Sequence, residues 1–452
     1  MAPRIRLTPF EQLMLDDARR GYPMCFHIEC AGSGSLDRER FAAAVRSAAR
    51  RHPRLRSRID PGLFGPTWLP PDREPDIEWV DSAASREPAP RPWRPIDPRV
   101  TSGVRFVGSE TASAGWRIVM TVHHAVCDGL AACEYWGDIW TAYHGGEPAP
   151  FSPGRPVARP ADTQPAHCGP GLLAACREFA ALMPAALTAP RSSFPQTAAA
   201  DDELPYATLQ LDAARASQLR SAAIDLGGTV NDAIVAVTFG AAAEWTRRAG
   251  AGGDTRLRVL MPVSLRAPGE RLPARNHMSY AFLDRRFDEC LQPATLLASL
   301  AAASRWVQGT GAAARFLDTI GVLARVPWAL QAATRMPLCM ATVVTSSLGN
   351  ITRRMRAAVP TRDGCLAPGG VTVESFACVP PIRPGTGVAL GVIAYADAMS
   401  IGVLADSNRL GADAARRFLD LLERQIDALV TAAPPTTVAP RPADALPAHA
   451  LE

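Results

Sequence analysis

Seven consecutive residues, His123-His124-Ala125-Val126-Cys127-Asp128-Gly129, gather side chains that can move protons. A neutral imidazole accepts a proton from an alcohol, amine or thiol as that group attacks a carbonyl. If strand geometry runs through the pair, His123 and His124 point to opposite faces. One ring then packs, the other faces a cavity, and the two do not easily share a metal. Asp128 can hold the loop through an arginine salt bridge or orient a histidine, and Gly129 allows a tight exit into a following helix. Cys127 reads as a packed thiol before it reads as a nucleophile. On these residues alone a structural and a catalytic reading both stand.

The flanking sequence supplies a scaffold for such a loop. Trp116 to His123 is rich in β-branched residues and predicts a strand. Leu130, Cys133, Trp136/Gly137, Trp140 and Tyr143 recur at helical spacing, and Gly145-Gly146 ends that helix. Trp136 and Trp140 read as core residues of that helix. Upstream, Thr8 caps a short helix with Pro9 and Glu11 in its first turn, residues 24–31 predict a strand, and Leu36 to Arg51 a helix with Phe41, Val45 and Ala48/Ala49 on one stripe. Leu55 to Ile59 reads as the start of a strand, and residues 81–99 as a Pro/Arg-rich loop. Between 146 and about 203, prolines surround one apolar segment, Leu172 to Leu187, the best place for a domain boundary. Beyond it come a helix capped by Thr229, a strand over Leu257 to Val263 and helical pieces over 293–333, broken near Gly309-Gly311 and Pro327. A strand over Cys339 to Ser346, a hairpin of Gly387–Ala396 with Ser400–Ala405, and a helix over 411–430 complete the pattern. The apolar stretch Leu338 to Val344 suits either a tunnel wall or a β core. After Ala432 the chain reads as a loose tail.

The totals narrow the chemistry. At 452 residues the chain suits two domains, and 47% hydrophobic against 20% charged residues is a folding composition. The net charge of +4 gives no nucleic-acid signal. All 48 basic residues are arginine; without lysine there is no Schiff-base enzyme, no Walker-type phosphate loop and no ordinary protein kinase. Ten cysteines form no C-x-x-C pair and read as buried thiols of a reducing compartment. With no apolar signal core at the start and no run of about 18 apolar residues, the expectation is a cytoplasmic protein without a transmembrane segment. No G-x-S-x-G elbow offers a serine nucleophile.

The segment 123–129 matches the HHxxxDG motif of the chloramphenicol acetyltransferase-like superfamily. That superfamily includes nonribosomal-peptide condensation domains, polyketide-associated acyltransferases and wax ester synthase/diacylglycerol acyltransferases. Other pieces resemble it in order, across about 7 to 430. Leu7-Thr8-Pro9 with Tyr22-Pro23-Met24 looks like the opening of the wax ester synthase and polyketide-associated branch. Arg50-Arg51-His52-Pro53-Arg54-Leu55-Arg56 is similar to "HPxLR", Thr229-Val230-Asn231-Asp232-Ala233 to the "TVNDxxLA" helix start, Met261-Pro262-Val263-Ser264-Leu265-Arg266 to "PVSLR", and Pro380 to Asp406 to the late hairpin. Two stretches depart from the pattern. Arg275-Asn276 stands where many relatives have Gly-Asn, and Thr345-Ser346-Ser347-Leu348-Gly349-Asn350 where wax ester synthases often show "SNVPGP".

The resemblance implies an α/β fold of two chloramphenicol-acetyltransferase-like subdomains, a V-shaped pseudo-dimer around a central tunnel. The expected division is 1–185, 200–435 and a flexible tail 436–452, freestanding, without carrier or adenylation regions. It implies acyl transfer from a thioester of coenzyme A or carrier-bound phosphopantetheine, which is a co-substrate and not a resident cofactor, to a small-molecule alcohol, with no metal. His124 would be the catalytic base, with His123 and Gly129 structural and Asp128 paired with Arg266. Asn276, Ser346 and Ser347 are candidate substrate or oxyanion contacts. Arg353, Arg354 and Arg356 could meet phosphates of coenzyme A or of a carrier protein, or form a plain solvated face. The alternatives are a condensation enzyme forming an amide from carrier-protein-bound acyl groups, and a non-catalytic homologue that binds an acyl or peptidyl carrier protein.

Overall fold

Thr8 accepts a hydrogen bond from the Glu11 amide while the Glu11 carboxylate accepts one from the Thr8 amide, so a reciprocal cap starts the first helix. The computed structural model describes residues 5–62, 65–80, 95–110, 115–154, 206–250, 252–310, 312–326, 328–336 and 339–433. The segment Leu172–Leu187, most of the expected boundary region and the tail fall outside these. In chain order the first principal elements are α1 (Pro9–Asp17), β1 (Cys25–Ser33), α2 (Arg38–Arg51), β2 (Asp76–Val80), β3 (Val104–Glu110), β4 (Gly115–His123) and α3 (Gly129–His144). Then come β5 (Tyr206–Leu211), α4 (Ala213–Asp225), α5 (Val230–Arg248), β6 (Arg256–Ser264), β7 (Met278–Arg286), α6 (Pro293–Thr310), α7 (Ala312–Leu323) and α8 (Ala329–Arg335). The last are β8 (Val343–Asn350), α9 (Ile351–Met355), β9 (Thr372–Val379), β10 (Val388–Tyr395), β11 (Ala398–Ala405) and α10 (Ala414–Ala432).

Two mixed sheets organise these elements. The first has the order β9-β1-β4-β3-β2, antiparallel except for the parallel β3–β2 pair. The second has the order β7-β6-β8-β10-β11-β5, with β8 parallel to both neighbours. Helices α2 and α3 fill the first core. Phe41, Val45, Ala48 and Ala49 are buried on one stripe, and Trp136 stacks on Trp140 with ring centroids 5.8 Å apart. Helices α5 and α10 fill the second core, where Phe418, Leu422, Ile426 and Leu429 face inward. The architecture is α/β, two lobes each built on one mixed sheet.

The lobes are not consecutive halves of the chain. Strand β9, from the second half, pairs with β1 of the first sheet from Thr372↔Ser33 to Val379↔His27. It also lies directly on the second sheet. A Cβ at Gly391 or Gly402 would come within 2.4 or 2.3 Å of the Cys378 carbonyl oxygen, so only glycine fits beneath the crossing strand.

Two expectations need correction. Leu55–Ile59 does not begin a strand: Pro53–Arg56 is a 3-10 turn, closed where the Ser57 hydroxyl donates to the Pro53 carbonyl, and pairing starts only at Ile59. The strand expected over 339–346 spans Val343–Asn350, because its partners 259–260 and 388–394 lie opposite those residues. The sequence pattern also left β2, β3, β5, β7, β9 and α4 unassigned.

Candidate active site

The loop after β4 is fixed by its backbone. Cys25 pairs with His123 in the ladder, and the His124 amide extends it by donating to the Met24 carbonyl at 2.6 Å. The His123 amide donates to Gly103, the Val126 amide to the His123 carbonyl, and the Ala125 amide to His123 Nδ1 at 3.2 Å. That last bond makes Nδ1 an acceptor and so leaves the proton on Nε2. Burial, with the like charge of His124 second, pushes His123 down to about 3, so it stays a neutral structural ring.

His124 is also buried, with 8% of its surface exposed, and sits among aromatic rings. Phe26 of β1 meets it edge-on at 5.3 Å between centroids, and Phe10 of α1 at 6.2 Å. Its Nδ1 has no well-formed hydrogen bond. Burial dominates and lowers its pKa, against smaller opposing effects of its own carbonyl, Asp128 and Asn276. The ring is therefore neutral at neutral pH, the form that accepts a proton.

Asp128 is the N-cap of α3: Oδ1 accepts from the Ala131 amide at 2.9 Å. Oδ2 accepts from Arg266 Nη1 at 2.9 Å and from the His277 amide at 2.7 Å. Burial opposes ionisation of this carboxyl, but Arg266 and the two amides outweigh it and hold its pKa below the usual range. No hydrogen bond joins the Asp128 carboxylate to His124; the aspartate closes the start of α3 onto the second lobe. Gly129 follows because Leu348 of β8 presses there: a Cβ would lie 2.7 Å from Leu348 Cδ2.

The segment 265–277, between β6 and β7, carries most of this contact between lobes. Besides Arg266 and His277 it supplies Asn276, whose Nδ2 donates to the carbonyls of His124 at 2.8 Å and Ala125 at 3.1 Å. With both amide hydrogens so engaged, Asn276 holds the histidine loop and has no donor left for an oxyanion. A second cluster escaped the sequence reading. Asp138 of α3 accepts from Arg51 Nε and pairs with His52 Nε2, both at 3.1 Å, and receives Arg271 of the inter-lobe segment. His52 Nδ1 accepts from the Ala274 amide at 2.8 Å. The "HPxLR" stretch marked His52, but nothing local paired it with Asp138 or Arg271. Glu134, one helical turn before Asp138, is pushed up to about 7 by burial, with one carboxylate oxygen unpartnered.

The remaining candidates divide. Strand alternation puts Ser346 on the face of β8 shared with Val344 and Leu348, toward the first lobe, and Ser347 on the face shared with Val343 and Thr345, whose neighbours are second-lobe helices. Both serines are half-buried. Arg353 and Arg354 lie on α9 and Arg356 just after it; Arg353 and Arg356 are exposed, and Arg356 Nη1 donates to the Gly269 carbonyl at 3.3 Å. No hydrogen bond or ion pair joins them to the histidine loop. Burial pushes the Cys127 thiol well above its ordinary range, so it is not a thiolate. Among the described residues no group of three or more His, Cys, Asp or Glu could hold a metal. Phe10, Tyr280 and Phe316 form a chain of ring contacts from His124 at 5.3 and 5.4 Å, continuing to Phe282 at 5.8 Å. This aromatic path between the lobes was not visible in sequence spacing.

No protein-family model and no curated protein matches this sequence. Solved structures do match over nearly the whole chain. Polyketide synthase associated protein 5 from Mycobacterium tuberculosis superposes with a TM-score of 0.64 at 16% identity, covering 95% of this chain and 99% of its own. The first condensation domain of the CDA synthetase gives 0.63 at 14%, covering 96% and 98%. The TRI3 trichothecene 15-O-acetyltransferase from Fusarium sporotrichioides gives 0.64 at 13%, covering 94% of each chain. The chain therefore has the fold of the chloramphenicol acetyltransferase and condensation-domain superfamily.

Proposed function

We propose that this protein is an acyltransferase that moves an acyl group from a thioester to a hydroxyl, forming an ester, with His124 as general base. The observation that supports this most directly is a neutral imidazole, buried at the junction of two lobes, with its main chain held from both. Met24 of the first lobe accepts its amide hydrogen, and Asn276 of the second donates to its carbonyl. Nδ1 is shut off from solvent without a hydrogen-bond partner, and Nε2 is the nitrogen proposed to meet the substrate. It takes the alcohol proton as the oxygen attacks the thioester carbonyl, the tetrahedral oxyanion collapses, and the proton passes to the departing thiolate. No covalent enzyme intermediate forms.

The donor is an acyl thioester of coenzyme A or of carrier-bound phosphopantetheine, entering a tunnel between the lobes. Arg353, Arg354 and Arg356 are the cations proposed for its phosphates. Ser346, facing the first lobe from β8, is preferred over Ser347 and Asn276 as an oxyanion donor. The apolar walls at Phe10, Phe26 and Tyr280 suit an apolar acyl group. The division proposed is 1–185 and 200–435, with β9 crossing back.

The test is incubation of the purified chain with thioesters of coenzyme A and of a loaded carrier protein, against a panel of alcohols and amines, with product read by mass. Ester formation supports the proposal. Amide formation from carrier thioesters alone makes this a condensation enzyme, and binding of a carrier protein without turnover makes it a docking module.

A further inference from the structure

Helix α8 is flanked by apolar side chains that lie in water. Val326 is 50% exposed, Trp328 80% and Met336 40%. Trp328 has a left-handed backbone, φ 60°, an uncommon conformation for a bulky residue, and it holds this exposed indole at the turn into α8. The corner is anchored from behind: Arg19 donates to the Thr334 carbonyl at 2.7 Å, and the Thr334 hydroxyl to the Asp16 carbonyl at 3.5 Å.

The chain through this corner is rich in arginine, although the Asp16 carboxylate of α1 lies close enough to interact with Arg335. From Thr319 through Arg362 the sequence has no aspartate or glutamate and six arginines. Two of them, Arg325 and Arg335, are exposed and adjoin Val326 and Met336. A single exposed apolar residue needs no explanation. An exposed tryptophan with aliphatic neighbours and a cationic rim has the chemistry of a headgroup-level anchor, where the indole sits at the apolar boundary and arginines meet lipid phosphates. A second copy of this chain fits less well. A stable protein interface buries about 1,200 Å² or more, and this corner offers a few side chains whose cationic rim would repel itself.

We propose that the α7–α8 corner docks the protein peripherally on an anionic lipid bilayer, with Trp328 inserted at headgroup depth. This does not depend on the acyl-transfer reading, and its test reads binding, not turnover.

The experiment is co-sedimentation of the full chain with vesicles of phosphatidylcholine alone or of phosphatidylcholine and phosphatidylglycerol in equal parts. Binding to the anionic vesicles, weakened in high salt, is expected, and W328A or R325Q/R335Q should each lower partitioning about tenfold or more. V326S/M336S repeats the test by a second route, and circular dichroism checks that each variant is folded. Equal binding to both vesicle types, no binding, or wild-type binding by W328A would overturn the proposal. So would W328A-sensitive dimerisation in light scattering without vesicle binding, which assigns the face to a second copy.

Discussion

His124 and Asp128 sit four residues apart and do different work. His124 is held by its main chain and keeps a neutral ring; Asp128 is consumed by three bonds to Ala131, Arg266 and His277. Substitution should separate them. H124A removes no hydrogen bond from the protein's frame and should leave the fold intact while lowering transfer by about 100-fold or more. Acyl transfer by the variant within a few-fold of wild type would remove His124 from the chemistry. D128A instead leaves Arg266 buried without its partner and α3 without its cap, and should cost about 3–5 kcal/mol in denaturant unfolding. The folded fraction of D128A should keep the histidine limb of its pH–rate profile. That limb should lie on the acid side of the ordinary imidazole value of about 6.5, because burial lowers the pKa of His124.

At the scale of elements, helix α3 links the site to the second lobe through two glycines with different neighbours. At Gly129 a Cβ meets the end of the Leu348 side chain, which can be shortened. At Gly137 it meets the Met355 carbonyl oxygen at 1.9 Å, which belongs to the backbone of α9 and cannot. G129A should therefore destabilise by about 1–3 kcal/mol and recover much of that in G129A/L348A. G137A should cost more and gain nothing from L348A. Thermal unfolding of the four proteins checks this as a double-mutant comparison, and recovery of G137A by L348A would show that the helix contacts are wrongly assigned.

For the whole molecule, acid is the informative perturbation. His27 and His123 are both pushed to about 3 by burial. Unfolded, each takes up a proton near its ordinary value of about 6.5, so the unfolded state binds more protons below that pH. Their contribution to stability is complete above about 6.5 and is lost as the pH falls toward 3, at roughly 1.4 kcal/mol per pH unit for each ring. Below the ordinary aspartate range, Asp128 and Asp138, both lowered in the fold, add to the loss. Unfolding midpoints in urea from pH 8 to pH 4 should fall most steeply below about 6. A flat profile would mean that these rings are not buried neutral.

Most elements near the site were legible because their signals are local. Thr8 and Thr229 cap helices through bonds within three residues, the Phe41–Val45–Ala48 stripe has helical period, and the run before His123 is rich in β-branched residues. Strands β2, β3, β7 and β9 were not legible, since what makes each a strand is a partner far along the chain: Thr372 beside Ser33, Met278 beside Ser264. The chemistry divides in the same way. The sequence by itself determined that an imidazole follows a buried strand and precedes a capped helix, and that no lysine-dependent mechanism is available. Tertiary structure alone decided that Asn276 grips the carbonyls of that loop, that Arg271 and His52 converge on Asp138, and that Phe10 and Tyr280 face each other across the lobes. Those contacts join residues up to 270 positions apart (Phe10 to Tyr280), and only closing the chain into two interlocked sheets brings them within bonding range.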